Sequence, residues 1–406
     1  MLAVAAAAIG VAVLAAWLMA PRNAISPVRV SPADWFGSEV LARADAYRSG
    51  QRWLVVGQLL AQLALLLALV FGPAARLLRR RIERHTGHPR LVALVASATI
   101  LVLLQLVALP FSIMSHQRAV DAGLSVQDLT SWLGDWLIST LIFVVLGTFV
   151  LLAALWMARR FGSSWWIPGS AGVIALAVIL TWAAPAVLSP IFNDYEPLGR
   201  GPIRSEVITL ARETGVNVGG VYRVDASRRT TGINAFVDGI GSTKRVVLYD
   251  TLIEDLSADQ RRSVVAHELA HAERNDVWRG LLWVALVVPL AVLFVALLSD
   301  RLAPGRTESR GSAASLPALV LAIAVSITAV QTVGNGLSRA VELNADVRAL
   351  ELTDAPRAQI ALQQRLAETN LIQPDPPQWS QFLFGTHPTT DERIGLALAW
   401  EREGGG

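Results

Sequence analysis

The sequence predicts a mainly α-helical protein that crosses a membrane seven times and carries a small α+β domain. Of its 406 residues, 53% are hydrophobic and 17% are charged, and the mean hydropathy is +0.47. This composition is typical of a membrane protein rather than of a chain folded entirely in water. The second observation is a set of long, nearly uncharged apolar segments, and the third is a polar stretch at 193–277 that interrupts them.

The apolar segments set the number of predicted spans. A helix needs roughly 20 predominantly apolar residues to cross about 30 Å of hydrocarbon. Seven segments meet this requirement, at residues 2–20, 53–71, 91–114, 137–157, 170–192, 278–299 and 316–337. The first could be a cleaved signal peptide, but it lacks a basic leading region, so an uncleaved span is favoured.

The spans divide the chain into four regions. Residues 1–192 form an N-terminal membrane region with five spans, and residues 278–337 hold two more around a flexible loop near 300–315. The polar insert at 193–277 contains two strand-like runs, at 220–225 and Arg245–Tyr249. Residues 338–406 form a polar tail with a helical pattern.

Charge and cysteine content restrict the chemistry. The net charge of +3 and the isoelectric point near 9.8 are explained by loop arginines near lipid headgroups, so no nucleic-acid partner is required. The chain has no cysteine, which excludes disulfides, thiolate ligands and a cysteine nucleophile. Any bound metal must therefore be held by His, Asp or Glu.

One motif in the insert has metal-binding spacing. Residues 265–271 read VAHELAH, which places His267 and His271 on either side of Glu268 in an H-E-x-x-H pattern. A capping box at 257–260 starts a helix ahead of it. Positions four apart share one helix face, so both imidazoles can reach one ion, and Glu268 can accept a proton from the attacking water.

A catalytic zinc site usually takes three protein ligands and leaves a fourth position open, so a third ligand is expected downstream. The metzincin pattern is excluded, since it requires Gly and His where this chain has Arg274 and Val277.

A helical carboxylate is the remaining candidate for the third ligand. Glu342 follows the last span, and Asp346 lies one turn further on the same face, where it could orient a ligating histidine. Spacing alone leaves an alternative open: an ordinary solvated helix face on which Arg339 and Arg348 pair with these carboxylates.

Several further motifs occur together in a fixed order. They are LPFS at 109–112, PAVLSPIFNDYEPL at 185–198, NAFVDG at 234–239, TKRVVLYDTLI at 243–253, the H-E-x-x-H helix, SRAVELNAD at 338–346, and THP at 386–388 with Arg393. In this set the chain resembles the type I CAAX prenyl endopeptidases, integral-membrane zinc proteases related to the HtpX-like proteases.

The resemblance implies a fold and a site. It implies seven spans around a water-filled chamber, one zinc ion per chain held by His267, His271 and Glu342, and Asn234 as a residue that holds the substrate backbone. The substrate is expected to lie along an exposed edge strand at Arg245–Tyr249, against Val246 and Val247.

Two residues near the C-terminus have less defined roles. His387 is predicted either to steady the oxyanion as a catalytic residue or to support the metal ligands through Asp346. For Arg393 a supporting role behind the ligands is favoured.

The expected function is a membrane-embedded zinc metalloendopeptidase that hydrolyses peptide bonds of membrane-associated or misfolded proteins. Its partners are then a protein or peptide substrate and the lipid bilayer. The alternative is a zinc-stabilised membrane scaffold or regulator without proteolytic activity. An intramembrane protease is disfavoured, because charged residues flank the motif on both sides, at Arg261, Arg262, Glu273 and Arg274.

The orientation in the cell membrane has two opposing indications. The segment 72–90 carries six arginines, more than the segment 21–52, so counting positive charge places the catalytic domain outside. The family resemblance implies a cytoplasmic catalytic domain, and that orientation is the one predicted.

Overall fold

The computed structural model describes residues 1–22, 25–72, 88–239, 241–303 and 310–404. Within them, seven helices are long and apolar enough to span a membrane, which confirms the predicted number. The helices are α1 (Leu2–Met19), α2 (Ser38–Phe71), α3 (Pro89–Asp121), α4 (Leu129–Phe161), α5 (Trp166–Val187), α6 (Ser189–Phe192), α7 (Pro202–Glu213), α8 (Asp250–Asp255), α9 (Ala258–Glu273), α10 (Asp276–Leu302), α11 (Leu316–Thr353), α12 (Pro356–Thr369), α13 (Gln378–Phe384) and α14 (Thr390–Glu403). The spans are α1 to α5, α10 and α11.

The membrane helices form one packed bundle. A cluster of buried aliphatic side chains joins α2, α3, α4, α10 and α11. The first helix belongs to the same bundle, since Trp283 of α10 donates its indole N–H to the carbonyl of Ala12 at 3.3 Å. The predicted flexible loop is shorter than expected: α10 extends to Leu302, and Arg310 pairs with Asp300. Residues 304–309 of that loop, and most of the arginine-rich segment 72–90, lie outside the described residues.

The insert contains a four-stranded sheet in the order β1-β2-β4-β3. Its strands are β1 (Tyr195–Pro197), β2 (Gly220–Val224), β3 (Ala235–Asp238) and β4 (Arg245–Tyr249). The β2–β4 pair is parallel, whereas β1–β2 and β3–β4 are antiparallel.

The prediction of an edge strand at β4 is wrong. This strand pairs with β2 on one side and with β3 on the other, and Val246 and Val247 are fully buried. Its backbone groups are used within the sheet, so neither valine can bind a substrate there. The edge strand beside the motif helix is instead β3, which packs against α9.

Two features of the helices bring distant residues together. The capping box that starts α9 is present, with Ser257 Oγ accepting from the Gln260 N–H and the Gln260 side chain accepting from the Ser257 N–H. The helix of the last predicted span continues past residue 337, because α11 runs unbroken to Thr353. Its extension packs against α9, so residues some 75 positions apart in sequence meet between these two helices.

Candidate metal centre and active site

His267 and His271 lie one turn apart on α9 and direct their Nε2 atoms toward each other. The two Nε2 atoms are 3.2 Å apart, and the two rings are nearly perpendicular, with an interplanar angle of 85°. Both side chains are largely buried, with 10% and 22% of their side-chain surfaces exposed.

Glu342 of α11 completes a group of three. Its Oε2 lies 3.2 Å from His267 Nε2, and its Oε1 lies 3.6 Å from His271 Nε2. One ligand atom from each of the three residues falls within 4.8 Å of the others, and among the described residues these three form the group able to hold a metal ion.

The outer nitrogen of each ring contacts a carboxylate. His267 Nδ1 lies 2.9 Å from Asp346 Oδ1, and His271 Nδ1 lies 2.9 Å from Asp276 Oδ2. An ionised carboxylate only accepts hydrogen bonds, so each Nδ1 carries the proton and donates it. Each Nε2 is then directed at the centre of the group, where it can offer a lone pair to a metal ion.

This donor set fits a zinc ion. Two imidazole nitrogens and a carboxylate oxygen are ligand types that zinc accepts, and here they converge on one point. Tetrahedral ligands at about 2.0–2.1 Å from zinc are separated by about 3.3 Å. The observed distance between the two Nε2 atoms, 3.2 Å, agrees with that spacing.

Asp276 was missed in the sequence. It lies five residues after His271, at the first position of α10, and Asn275 between the two helices adopts a left-handed conformation, with φ of 55°. Helical periodicity does not continue across such a break. The available signal was an acidic residue shortly after the motif, at a helix N-terminus.

Asp346 is buried in a network of its own. Only 1% of its side chain is exposed, and Arg393 reaches both of its oxygens, with 2.8 Å from Nε to Oδ2 and 2.5 Å from Nη2 to Oδ1. Gln359 Nε2 donates to Oδ1 at 3.3 Å. Asp346 therefore lies between His267 and Arg393 and contacts both side chains.

The alternative pairing of Arg339 and Arg348 with these carboxylates does not hold. Arg339 donates to the backbone carbonyls of Gln381 and Gly385. Arg348 makes a two-point contact with Glu273 at the end of α9, at 2.8 and 3.0 Å. Neither cation neutralises the carboxylates that face the histidines.

Glu268 and His267 open onto a cavity of about 1150 Å³. The membrane region and the catalytic region both line it. The membrane region contributes residues of α2 and α3, and the catalytic region contributes residues of the sheet, α9, α12 and the segment after α13. Burial raises the pKa of Glu268 above its ordinary range, and the charges of the neighbouring His267 and His271 oppose that shift. A buried carboxyl of raised pKa at a cavity has the properties of a proton carrier.

His387 and Asn234 lie on the same cavity. His387 Nε2 is 3.5 Å from Glu342 Oε2, its side chain is 60% exposed, and its Nδ1 lies 2.9 Å from Thr386 Oγ1. Asn234 directly precedes β3, and its Oδ1 accepts from the backbone N–H of Ala235 at 2.9 Å. Of the predicted site residues, only Val246 and Val247 lie away from the site.

Seven membrane helices, with a three-residue metal group and a buried carboxyl at one large cavity, are the features of an integral-membrane metallopeptidase. Comparison with known families agrees. Residues 197–401 match the sequence profile of peptidase family M48, and residues 26–194 match the profile described as CAAX prenyl protease N-terminal, five membrane helices. The chain belongs to peptidase family M48, since the first match alone spans half of it.

Individual relatives are similar over much of the chain. It is 29% identical over 378 residues to the uncharacterized metalloprotease YhfN of Bacillus subtilis (strain 168), covering 92% of this chain and 88% of the relative. It is 29% identical over 306 residues to a CAAX prenyl protease 1 homolog of Oryza sativa subsp. japonica, covering 73% and 71%. The protein is a membrane metalloendopeptidase.

The fold has also been seen before. The crystal structure of S. mikatae Ste24p superimposes with a TM-score of 0.77 at 19% identity, over 97% of each chain. The overall fold is therefore shared over nearly all of both chains.

Proposed function

We propose that this protein is a zinc-dependent endopeptidase in which His267, His271 and Glu342 hold one zinc ion and Glu268 carries the proton. Its substrates are peptide bonds of membrane-associated or misfolded proteins. The observation that carries the proposal is the convergence of two imidazole Nε2 atoms and a carboxylate, with Asp346 and Asp276 fixing the outer ring nitrogens.

Zinc, when bound, polarises a carbonyl group and lowers the pKa of water from 15.7 to about 7. Glu268 takes a proton from the attacking water and delivers it to the nitrogen of the leaving amine. His387, on the cavity side of Glu342, is placed to donate a hydrogen bond to the carbonyl oxygen as negative charge develops there.

The substrate binds as an extended segment along β3. An edge strand presents unpaired N–H and C=O groups, and an added peptide strand can pair with them. β3 is the edge strand that packs against the motif helix, and Asn234 and Ala235 at its start line the cavity. This location replaces the one predicted at β4.

A zinc-stabilised scaffold is less well supported. Structural zinc sites are closed by four protein ligands, whereas catalytic sites keep one position for water or substrate. Within the described chain three side chains converge here, beside a cavity of about 1150 Å³.

The test is the substitution Glu268→Gln, which removes the proton carrier while leaving the three ligands in place. Zinc content by mass spectrometry should remain at one ion per chain, while cleavage of an unfolded protein such as β-casein stops. Glu254→Gln, which changes an exposed carboxylate on α8, is the matched control. Near-normal cleavage by Glu268→Gln would contradict the mechanism, and a wild-type protein that binds zinc without cutting would support the scaffold.

We also propose that the catalytic domain faces the cytoplasm. Because the chain has no cysteine, single cysteines can report on orientation. Ser205→Cys on α7 marks the catalytic side, and Arg160→Cys at the far end of α4 marks the other; both positions are exposed. In intact cells an impermeant maleimide should label only Arg160→Cys, and labelling of Ser205→Cys instead would reverse the orientation.

A further inference from the structure

The free edge of β3 carries a defined set of backbone groups. Tyr249 N–H donates to the carbonyl of Asn234, so Asn234, Phe236 and Asp238 direct their backbone groups toward β4. In an antiparallel pair successive residues alternate in this direction. Ile233, Ala235 and Val237 therefore direct their N–H and C=O groups away from β4, toward the edge on which a peptide would bind.

The outward groups of Ile233 are already occupied. Its N–H donates to Asn370 Oδ1 at 2.9 Å, and its C=O accepts from Asn370 Nδ2 at 3.1 Å. One carboxamide thus makes both hydrogen bonds that a residue of a neighbouring strand would make. The side chain of Asn370 closes the edge of the sheet at this position, on the side of the large cavity.

Beyond Ile233, most of the edge is open. The N–H of Ala235 is taken by the side chain of Asn234. In the parts of the chain that the structure describes, no hydrogen bond occupies the outward C=O of Ala235 or the outward N–H and C=O of Val237. A bound peptide can form hydrogen bonds with these backbone groups, and at the Ile233 end of the edge it contacts Asn370.

The loop that carries Asn370 is held from the membrane region. Arg48 of α2 donates from Nη2 to the carbonyl of Asn370 and from Nε to the carbonyl of Leu371, each at 2.7 Å. Leu371 adopts a left-handed conformation with φ of 47°, which an isolated leucine avoids. Two hydrogen bonds from one guanidinium hold the loop in this conformation, so the carboxamide of Asn370 has a fixed place.

We propose that Asn370 is a positioning residue that stops a bound peptide at Ile233 and so sets the register of the peptide on β3. This inference rests on the proposed function, in which the substrate pairs with β3. Side chains alternate along a strand, so a displaced peptide keeps the same faces only if it shifts by two residues. Removing the carboxamide frees one further residue of the edge and permits that shift.

Cleavage-site mapping tests the proposal. Wild type and Asn370→Ala are incubated with β-casein, and the bonds cut are identified by mass spectrometry. Asn370→Ala should cut additional bonds displaced by two residues from the wild-type sites. Asn335→Ala is the matched control, because Asn335 also donates its amide to a backbone carbonyl, that of Leu383, away from β3. An unchanged set of bonds with only a lower rate would show a structural role and overturn the proposal.

A binding measurement separates this inference from the proposed function. In the inactive Glu268→Gln background, Asn370→Ala should make the Ile233 amide exchange about tenfold faster with solvent deuterium. A synthetic peptide spanning a β-casein cleavage site should then protect Ile233 as well as Val237, whereas with Asn370 present it newly protects Val237 alone. If the peptide protects Val237 in the variant but gives Ile233 no new protection, Asn370 does not stop the peptide at Ile233. β3 would still be the binding strand in that case.

A second variant serves if Asn370→Ala does not fold. Asn370→Asp retains an acceptor for the Ile233 N–H but loses the donor to its C=O. It should show the same displaced cleavages at a lower proportion. Wild-type sites alone, from a variant with normal zinc content, would contradict the proposal.

Discussion

Asp346 of α11 accepts a hydrogen bond from His267 of α9, with 2.9 Å between Oδ1 and Nδ1. The same carboxylate receives both guanidinium contacts of Arg393, so it cannot turn away from the ring. The orientation of the His267 ring is therefore set by residues 79 and 126 positions further along the chain. This contact links the motif helix, the last span and the C-terminal helix α14.

Asp346→Asn tests that link. The amide keeps the shape of the side chain but loses the charge that orients His267 and neutralises Arg393. Zinc affinity, measured by competition with a chelating dye, should fall by about 10- to 100-fold. Asp300→Asn is the control, since Asp300 also receives a two-point contact from an arginine, Arg310, far from the site. Equal affinities in the two variants would contradict the role given to Asp346.

His387→Ala decides between the two roles considered for this residue. Its Nε2 lies 3.5 Å from Glu342 and its side chain is half-exposed at the cavity, so it does not lock the ligand in place. The variant should retain zinc, and its kcat should fall by about 100-fold because a donor to the oxyanion is lost. Loss of zinc with a proportionate loss of activity would assign His387 to the support of the metal instead.

Metal removal should abolish activity reversibly. Dialysis against a chelator removes the cation that holds the two imidazoles and the carboxylate together, which should lower the melting temperature as well as the rate. Zinc should restore both, with one equivalent per chain at saturation. The variant His271→Ala should show neither the loss nor the recovery, and a wild type that stays active at zero metal content would refute the zinc site.

The parts of the site that were predictable from the sequence are those built from local spacing. His267, Glu268 and His271 follow from helical periodicity, because residues four apart share a face. Glu342 required the family resemblance, since its position depends on how α11 crosses α9, and spacing alone left an ordinary surface helix open. Asp276 was missed because Asn275 breaks the helix between it and His271.

The prediction that β4 lies at the edge of the sheet was wrong for a similar reason. Which strand lies at the edge depends on pairings between distant segments, and no local pattern states them. One signal was present: the run Val246, Val247, Leu248 is continuously apolar, which is typical of a strand covered on both faces in the middle of a sheet. This run forms the last of the four strands along the chain, but in the sheet it lies between β2 and β3.

The stability contributed by Asp250, whose hydrogen bonds lie next to the segment that leads into β3, should depend on pH. It is buried at the start of α8 and accepts hydrogen bonds from Ser227 N at 2.9 Å, Ser227 Oγ at 2.5 Å and Thr251 N at 2.9 Å. Thr251 in turn donates its hydroxyl to the carbonyl of Gly232. Burial alone would raise the pKa of Asp250, but the hydrogen bonds from Ser227 and Thr251 outweigh it and lower the pKa.

A carboxyl whose pKa is lower in the folded state stabilises the fold above its unfolded pKa of about 3.9, and this contribution is lost as the pH falls through the folded value. Asp250→Asn should therefore lower the free energy of unfolding at pH 7 by about 1–3 kcal/mol. The difference from wild type should shrink as the pH falls below about 4. Denaturant unfolding of both metal-free proteins, in detergent from pH 7 to pH 3, measures it. A difference that stays constant over this range would show that the charge of Asp250 contributes nothing, because only a protonation that wild type undergoes and the variant does not can close the gap.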